Sequence, residues 1–248
     1  MYPISVIAPI KLKANNKFFF NNINLLVENS KNQENFELIF LVNSYQEKNL
    51  ILEKINFKNL KIIVYDTKYQ SNRYNHLIEA ANGNLLVFFS YDIEINEKNW
   101  DQILIDCTKN EDEEYFQAYP FNSHLNIHPI IKRNFIKKYK NLIFLENLFK
   151  FYCVDTWISF LISSTLKPTK IKGIKLLHNH QPNMNINNFK IAIQDIFQFF
   201  IYIPFLLIEL HKNKINKIDY KYIIIIIIHL IIDFLSALKN FFKNYFLK

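Results

Sequence analysis

Four short apolar runs, each separated from the next by a stretch of helical period, constrain this chain more than any other feature of its sequence. They are Ile4–Ile10 (ISVIAPI), Phe36–Val42 (FELIFLV), Leu60–Tyr65 (LKIIVY) and Leu85–Phe89 (LLVFF). Runs this short, rich in β-branched and aromatic residues, fit strands buried on both faces. Pro9 closes the first. Between the runs, Phe19, Ile23, Leu26 and Val27 fall near helical spacing within Phe18–Asn29, and Leu50–Ile55 predicts a second helix. Asn75–Ala81 predicts a third, stopped by Gly83, a residue that adopts the left-handed C-cap conformation freely. Strand and helix in alternation predict an α/β fold with a mainly parallel sheet and crossover helices on its faces.

The fourth run ends in acid. Leu85–Phe89 can only be buried, whereas Asp92 and Glu94 just beyond it must be hydrated, paired or on a metal. In an open α/β sheet, the crevice at the carboxyl ends of the strands is where ligands sit. Only two glycines occur, Gly83 and Gly173, which excludes glycine-rich phosphate loops of the P-loop or dinucleotide type. The formal charge is +8, but the joint abundance of Asn, Lys, Ile, Phe and Tyr points to codon bias. The Lys residues are not interleaved with aromatics in one stripe, so no nucleic-acid partner is expected. Cys107 and Cys153 are isolated, which indicates neither a disulfide framework nor a zinc knuckle and fits a reducing, cytoplasmic compartment. The N-terminal MYPISVIAPIKLK has no charged leader and no cleavage-site pattern, so no signal peptide is expected.

Taken in order, ISVIAPI, FELIFLV, KIIVYD and YNHLIEAANGNLLVFFSYDIEI resemble the nucleotide-sugar-binding half of family 2 glycosyltransferases, which have the GT-A fold. In that family the fourth strand ends in an Asp-x-Asp motif whose carboxylates bind a divalent metal bridging the nucleotide diphosphate. The matching triplet here is Ser90, Tyr91 and Asp92, with the last acid kept and the first replaced. Asn75 and Gly83 match an Asn and a Gly upstream of the motif, and Arg73 lies one position from the family's Arg. Asn43 and Ser44 stand where many members carry Asp-Asp to hold the base.

The second half continues the resemblance. HPIIKRNFIKKYKNLIFLENLFKFYCVDTWISFLI is similar to the acceptor side of such enzymes, where an acid at a helix start serves as general base; Asp155 is the matching position. Leu176–Pro182 (LLHNHQP) is similar to a short strand whose His completes the metal site. The resemblance spans Ile4–Pro182. It implies donor contacts at Pro9, Asn43, Asp66, Arg73, Asn75, Tyr91 and Asp92, a Mn2+ or Mg2+ ion on Asp92 with His178, His180 or Glu94, and Asp155 as the base.

Sugar transfer from a nucleotide diphosphate asks for these residue types. A divalent metal on hard oxygen ligands neutralises the charge that develops on the leaving group. A base near the acceptor hydroxyl supports attack with inversion through an oxocarbenium-like state. His178 and His180 are two apart, so on a strand both rings face one side, and neutral imidazole can join carboxylates around a metal. Each residue also fits a plainer role. Asp92 and Glu94 suit a solvated strand end, Asp155 a carboxylate on a helix N-terminus, Arg73 an ion-paired side chain, and each His a local hydrogen bond. An inactive GT-A-like scaffold, prompted by the incomplete motif, is the main non-enzyme reading. A nucleotidyltransferase is a further one, weakened by the lack of a glycine-rich loop near the first strand.

Beyond Pro182, PNMNINN reads as a polar linker, and Phe189–Leu210 and Tyr220–Leu247 predict long apolar helices separated by HKNKINKID. Asp195, Gln198, Tyr202 and Glu209 recur near a 3.6 period in the first, as do Tyr222, His229, Asp233, Ser236 and Asn240 in the second, leaving wide apolar faces. Residues 189–248 carry eight Lys against four acids. Three placements compete. For a transmembrane pair, the first run falls short of the roughly 20 apolar residues needed, and the second holds His229 and Asp233 near its middle. Amphipathic helices on an anionic membrane surface are the second, and a hairpin packed on protein is the third. The expected organisation is a GT-A-like domain over 1–182, with a nucleotide-sugar half (1–100) and an acceptor half (101–182). A basic helical tail over 189–248 follows, holding the protein peripherally on the inner face of the membrane beside a glycan or lipid-linked acceptor.

Overall fold

The computed structural model describes residues 3–12, 17–90, 93–109, 113–119, 128–143, 146–150, 157–158, 161, 169–178, 186–212 and helical positions 224, 227–228, 231–232, 235 and 238–239. In chain order the elements are β1 (Ile4–Pro9), α1 (Lys17–Glu28), a 3-10 turn (Gln33–Asn35), β2 (Phe36–Val42), α2 (Tyr45–Lys54), β3 (Leu60–Val64), α3 (Gln70–Ala80), β4 (Leu85–Phe88), β5 (Ile93–Ile95), α4 (Trp100–Cys107), β6 (Tyr115–Tyr119), β7 (Ile130–Lys132), α5 (Arg133–Ile143), β8 (Thr169–His178) and α6 (Ile186–Lys212).

The strands form one sheet in the order β3-β2-β1-β4-β7-β6-β8-β5. The first four are parallel, as the crossover helices require. β7 joins antiparallel to β4 and β6 antiparallel to β7; β8 then runs parallel to β6, and β5 antiparallel to β8.

β1, β2 and β4 are buried along their whole length because both faces are covered. Alternate residues enter two separate cores. Ile7, Ile39, Leu41, Leu86 and Phe88 face a layer that includes Leu77 of α3, Phe135 of α5 and Phe199 of α6. Val6, Ala8, Leu38, Phe40 and Val87 face Phe19 and Ile23 of α1, Ile51 of α2 and Leu104 of α4. The α/β architecture expected from the sequence is present, and α6 is one of the helices that close the first layer.

Several boundaries differ from those expected. α2 begins at Tyr45, not Leu50, because Ser44 and Glu47 form a reciprocal capping box ahead of the apolar residues. α3 begins at Gln70, not Asn75; its first N–H groups, of Gln70 and Ser71, donate to the Phe149 carbonyl at 2.9 and 3.4 Å in place of a side-chain cap. Gly83 is not a left-handed cap. The helix passes into Ala81 with φ −72°, and Gly83 is required for closeness, since a Cβ there would lie 2.6 Å from Ile4 C and Ser5 N. β8 starts at Thr169, well before Leu176; its pairing to β6 shifts between Ala118 and Tyr119, and Gly173 takes φ +92° opposite that irregularity.

Candidate active site

The carboxyl ends of β1, β2 and β3 are tied together by two charged side chains. Glu47, in the first turn of α2, accepts at Oε1 from the Leu12 N–H just beyond β1 (2.9 Å). Its Oε2 accepts from the N–H groups of Asn43 (2.7 Å) and Ser44 (3.2 Å) just beyond β2. Arg73, the fourth residue of α3, is only 8% exposed. Its Nε and Nη2 donate to the Thr67 carbonyl beyond β3 at 3.4 and 3.2 Å, and Nη2 also donates to Asn43 Oδ1. Burial lowers the pKa of the guanidinium, opposed by the negative charge of Glu47 and Asp66. The result is a preorganised mouth with a cation at its back and carboxylates around it.

Three of the other expected donor contacts, Pro9, Asp66 and Asn75, lie on β1, just beyond β3 and on α3. Pro9 ends β1, buried and opposite Leu41 of β2. Asp66 follows β3 and is exposed, close enough to Arg73 to act on its charge. Asn75 lies on α3, half-buried. Tyr74, its neighbour, packs its ring 5.3 Å from that of Phe88, and Tyr65 sits 4.1 Å from the His76 ring. Glu47 and Thr67 were not among the residues expected to shape the site. The Ser44-x-x-Glu47 spacing was the available signal for the first; a backbone acceptor such as the Thr67 carbonyl has none.

On the other side of β1, the strand order switches to β4, whose end leads to the acidic segment. The Ser90 carbonyl accepts from the Ile93 N–H at 3.3 Å, across residues 91 and 92. β5 then pairs antiparallel with β8, placing Ile93 opposite His178 and Glu94 opposite Leu177. The chain just after residue 92 and the end of β8 are thus held side by side. Glu94 is half-buried and its Oε1 accepts from Asn96 Nδ2 at 2.6 Å. Tyr91, Asp92, Asp155 and His180 lie outside the described residues, and of His178 only the backbone is described. Among the described residues no three His, Cys, Asp or Glu side chains gather into a metal-holding group.

No protein-family model matches the sequence, and no curated protein is recognisably related to it. Among solved structures, the chain is similar to the mannosyltransferase PcManGT from Pyrobaculum calidifontis in complex with GDP-Man and Mn2+, with a TM-score of 0.55 and 10% identity over 84% of this chain and 68% of that one. It is likewise similar to S. aureus TarS 1-349 in complex with UDP-GlcNAc, with a TM-score of 0.53 and 13% identity over 81% of this chain and 67% of that one. It spans only 33% of the longer S. aureus TarS chain that it also matches. At identities this low the likeness speaks for architecture alone, a GT-A-like α/β fold.

Proposed function

We propose that this protein transfers a sugar from a nucleotide-diphosphate donor to a glycan or lipid-linked acceptor, with inversion and with the help of a divalent metal. The observation that carries this reading is the sheet edge. β3, β2, β1 and β4 deliver their carboxyl ends to one mouth with a topological switch between β1 and β4, the position at which open α/β sheets take a nucleotide. Solved structures of like fold hold GDP-Man with Mn2+ and UDP-GlcNAc.

In this reading Asp92, with His178 or His180 and with Glu94 as a further oxygen ligand, holds Mn2+ or Mg2+. The ion, when bound, stabilises the negative charge of the leaving diphosphate. Asp155 accepts the proton of the acceptor hydroxyl as that oxygen attacks the anomeric carbon from the face opposite the leaving group. Pro9, Asn43, Asp66, Asn75 and Tyr91 form the remaining donor contacts. Arg73 is already engaged by Thr67 and Asn43, so its part is to hold the mouth in shape. The transfer domain is assigned to 1–182 and the protein to the cytoplasm.

One observation favours a second reading, a nucleotide-binding scaffold without transfer: Ser90 replaces the first acid of the motif, and the second strand is followed by Asn43 and Ser44 in place of acids. Calorimetric titration with a panel of nucleoside diphosphates, with and without Mn2+, separates the two when joined to a sugar-transfer or donor-hydrolysis assay. Binding that needs Mn2+ and is lost in Asp92→Ala, with transfer lost but binding kept in Asp155→Asn, supports the enzyme. Metal-dependent binding with neither transfer nor hydrolysis supports the scaffold, and no binding at all overturns both.

A further inference from the structure

α6 wears its polarity inside out. Between Lys190 and Glu209 the only charged residue is Asp195, and it is 1% exposed, accepting from the Lys150 N–H at 3.0 Å. The exposed side carries Phe197 (66%), Phe205 (60%), Ile208 (51%) and Ile201 (45%), with Ile193 and Phe200 beside them. Residues 197, 201, 205 and 208 recur at helical spacing, so they make one stripe, about 16 Å long from 197 to 208. A second set continues the pattern: Ile224, Ile228, Ile231, Ile232 and Leu235 are exposed at spacings of four, three, one and three. Contiguous apolar surface of this kind on a folded chain marks an interaction site.

We propose that the outward face of α6 docks on an anionic lipid bilayer, lying in the interface and not crossing it. Contrary to the expectation that this run is too short, the stretch Lys190–Ile208 is long and apolar enough to span by composition. Its other face, however, is committed to protein. Phe199, Ile203 and Leu206 belong to the core layer that includes Phe149, Trp157 and Leu161, and the Trp157 and Phe199 rings meet edge to face at 5.7 Å. A helix with half its circumference packed on a sheet domain can offer lipid only the remaining half, which is the geometry of an interfacial helix.

Charge selects the occupant. Lys190 stands exposed at the start of the stripe, and Lys212, Lys214 and Lys217 follow its end in sequence, outweighing the one acid among residues 209–217, Glu209. An apolar stripe bracketed by cations complements acidic headgroups, whereas a second copy would bring like charges together. This placement stands independently of the sugar-transfer reading.

The test is co-sedimentation of the full chain, without any donor, with vesicles of equal parts phosphatidylcholine and phosphatidylglycerol, and with vesicles of phosphatidylcholine alone. The expected result is binding to the anionic vesicles that falls about tenfold on pure phosphatidylcholine and in high salt. It also falls about tenfold in the double variant Phe197→Ser, Phe205→Ser, whose circular dichroism and melting stay those of the parent because both side chains face outward. No partitioning to anionic vesicles overturns the proposal. A soluble dimer that the double variant converts to monomer overturns it in favour of a second copy, and vesicle-bound protein that resists alkaline extraction overturns it in favour of a spanning helix. Nucleotide binding is measured separately, so failure of the donor reading leaves this outcome untouched.

Discussion

Arg73, buried in the first turns of α3, donates from Nη2 to Oδ1 of Asn43, the first residue beyond β2. The two are thirty positions apart, and the contact joins the second and third strand ends at the mouth where a donor is proposed to enter. Because the Asn43 amide oxygen is taken up by a cation, the Asn43 side chain is held in one orientation. The same cation is held by the Thr67 carbonyl and balanced by Glu47 and Asp66.

Removing the cation should therefore damage more than its own contacts. Arg73→Ala leaves Glu47 without its countercharge and Asn43 and Thr67 without a donor. We expect a loss of about 2–3 kcal/mol, the cost of removing a charged donor from two neutral acceptors. Asn43→Ala should cost about 1–2 kcal/mol, since Arg73 keeps Thr67. Urea denaturation of both single variants and the double variant checks this, and the double-mutant cycle should return a clear coupling, as residues in direct contact do. Additive losses would show that the contact carries no energy.

Glu47 gives a sharper test of chemistry. Its two oxygens accept three backbone N–H groups. Glu47→Gln replaces one acceptor by an NH2 that faces a donor, and it also removes the charge opposite Arg73. The near-isosteric change should cost about 2 kcal/mol or more, nearly as much as Glu47→Ala. A urea midpoint for Glu47→Gln close to the parent's would reduce the carboxylate to an ordinary helix cap.

The two glycines should fail for different reasons. Gly83→Ala places a methyl 2.6 Å from the backbone of Ile4 and Ser5, so β1 and the start of β4 must part, at about 1–3 kcal/mol or more. It also disturbs the bonds by which the Gly83 N–H reaches Ser5 Oγ (2.7 Å) and Glu37 Oε1 (3.2 Å). At Gly173 the nearest atom is 3.8 Å away, and the penalty comes from φ +92° alone, about 1–3 kcal/mol. Thermal melting of both variants measures the sizes. Hydrogen exchange separates the causes, with faster exchange in β1 and β4 for the first and at the edge of β8 for the second.

What was legible in the sequence follows from where each element buries its side chains. β1, β2 and β4 stood out because both faces are covered, and a continuous apolar run has no other home. β8 was hidden over its first half because TKIKGIK alternates Lys with Ile, as a strand with one wet face must, and its Gly173 breaks the pattern. The first turns of α2 and α3 were missed since they are polar and held by caps and distant carbonyls. In the site, Arg73 was visible as a residue, while its engagement by Thr67 and Asn43 depends on a backbone oxygen and a long-range contact that no spacing encodes. The buried Asp195 was read only as part of a polar stripe, because a 3.6 period fixes which residues share a face and leaves open which face meets the protein.

Asp195 Oδ1 accepts from the Lys150 N–H. The adjacent Phe149 carbonyl receives the Gln70 N–H at the start of α3, and Asn72 and Asn147 bond reciprocally at 3.0 and 2.8 Å. Residues 147–150 thus form a bridge from α6 to the helix that carries Arg73. Asp195→Ala leaves a part-buried N–H without its acceptor, and should destabilise the protein by about 1–3 kcal/mol. Asp195→Asn keeps an acceptor oxygen and should lose much less. If the bridge holds α3 in place, Asp195→Ala should also weaken nucleoside diphosphate binding in calorimetry, while Asp195→Asn keeps it. An alanine variant that melts early yet binds with the parent's affinity would confine Asp195 to stability and leave α6 and the donor mouth uncoupled.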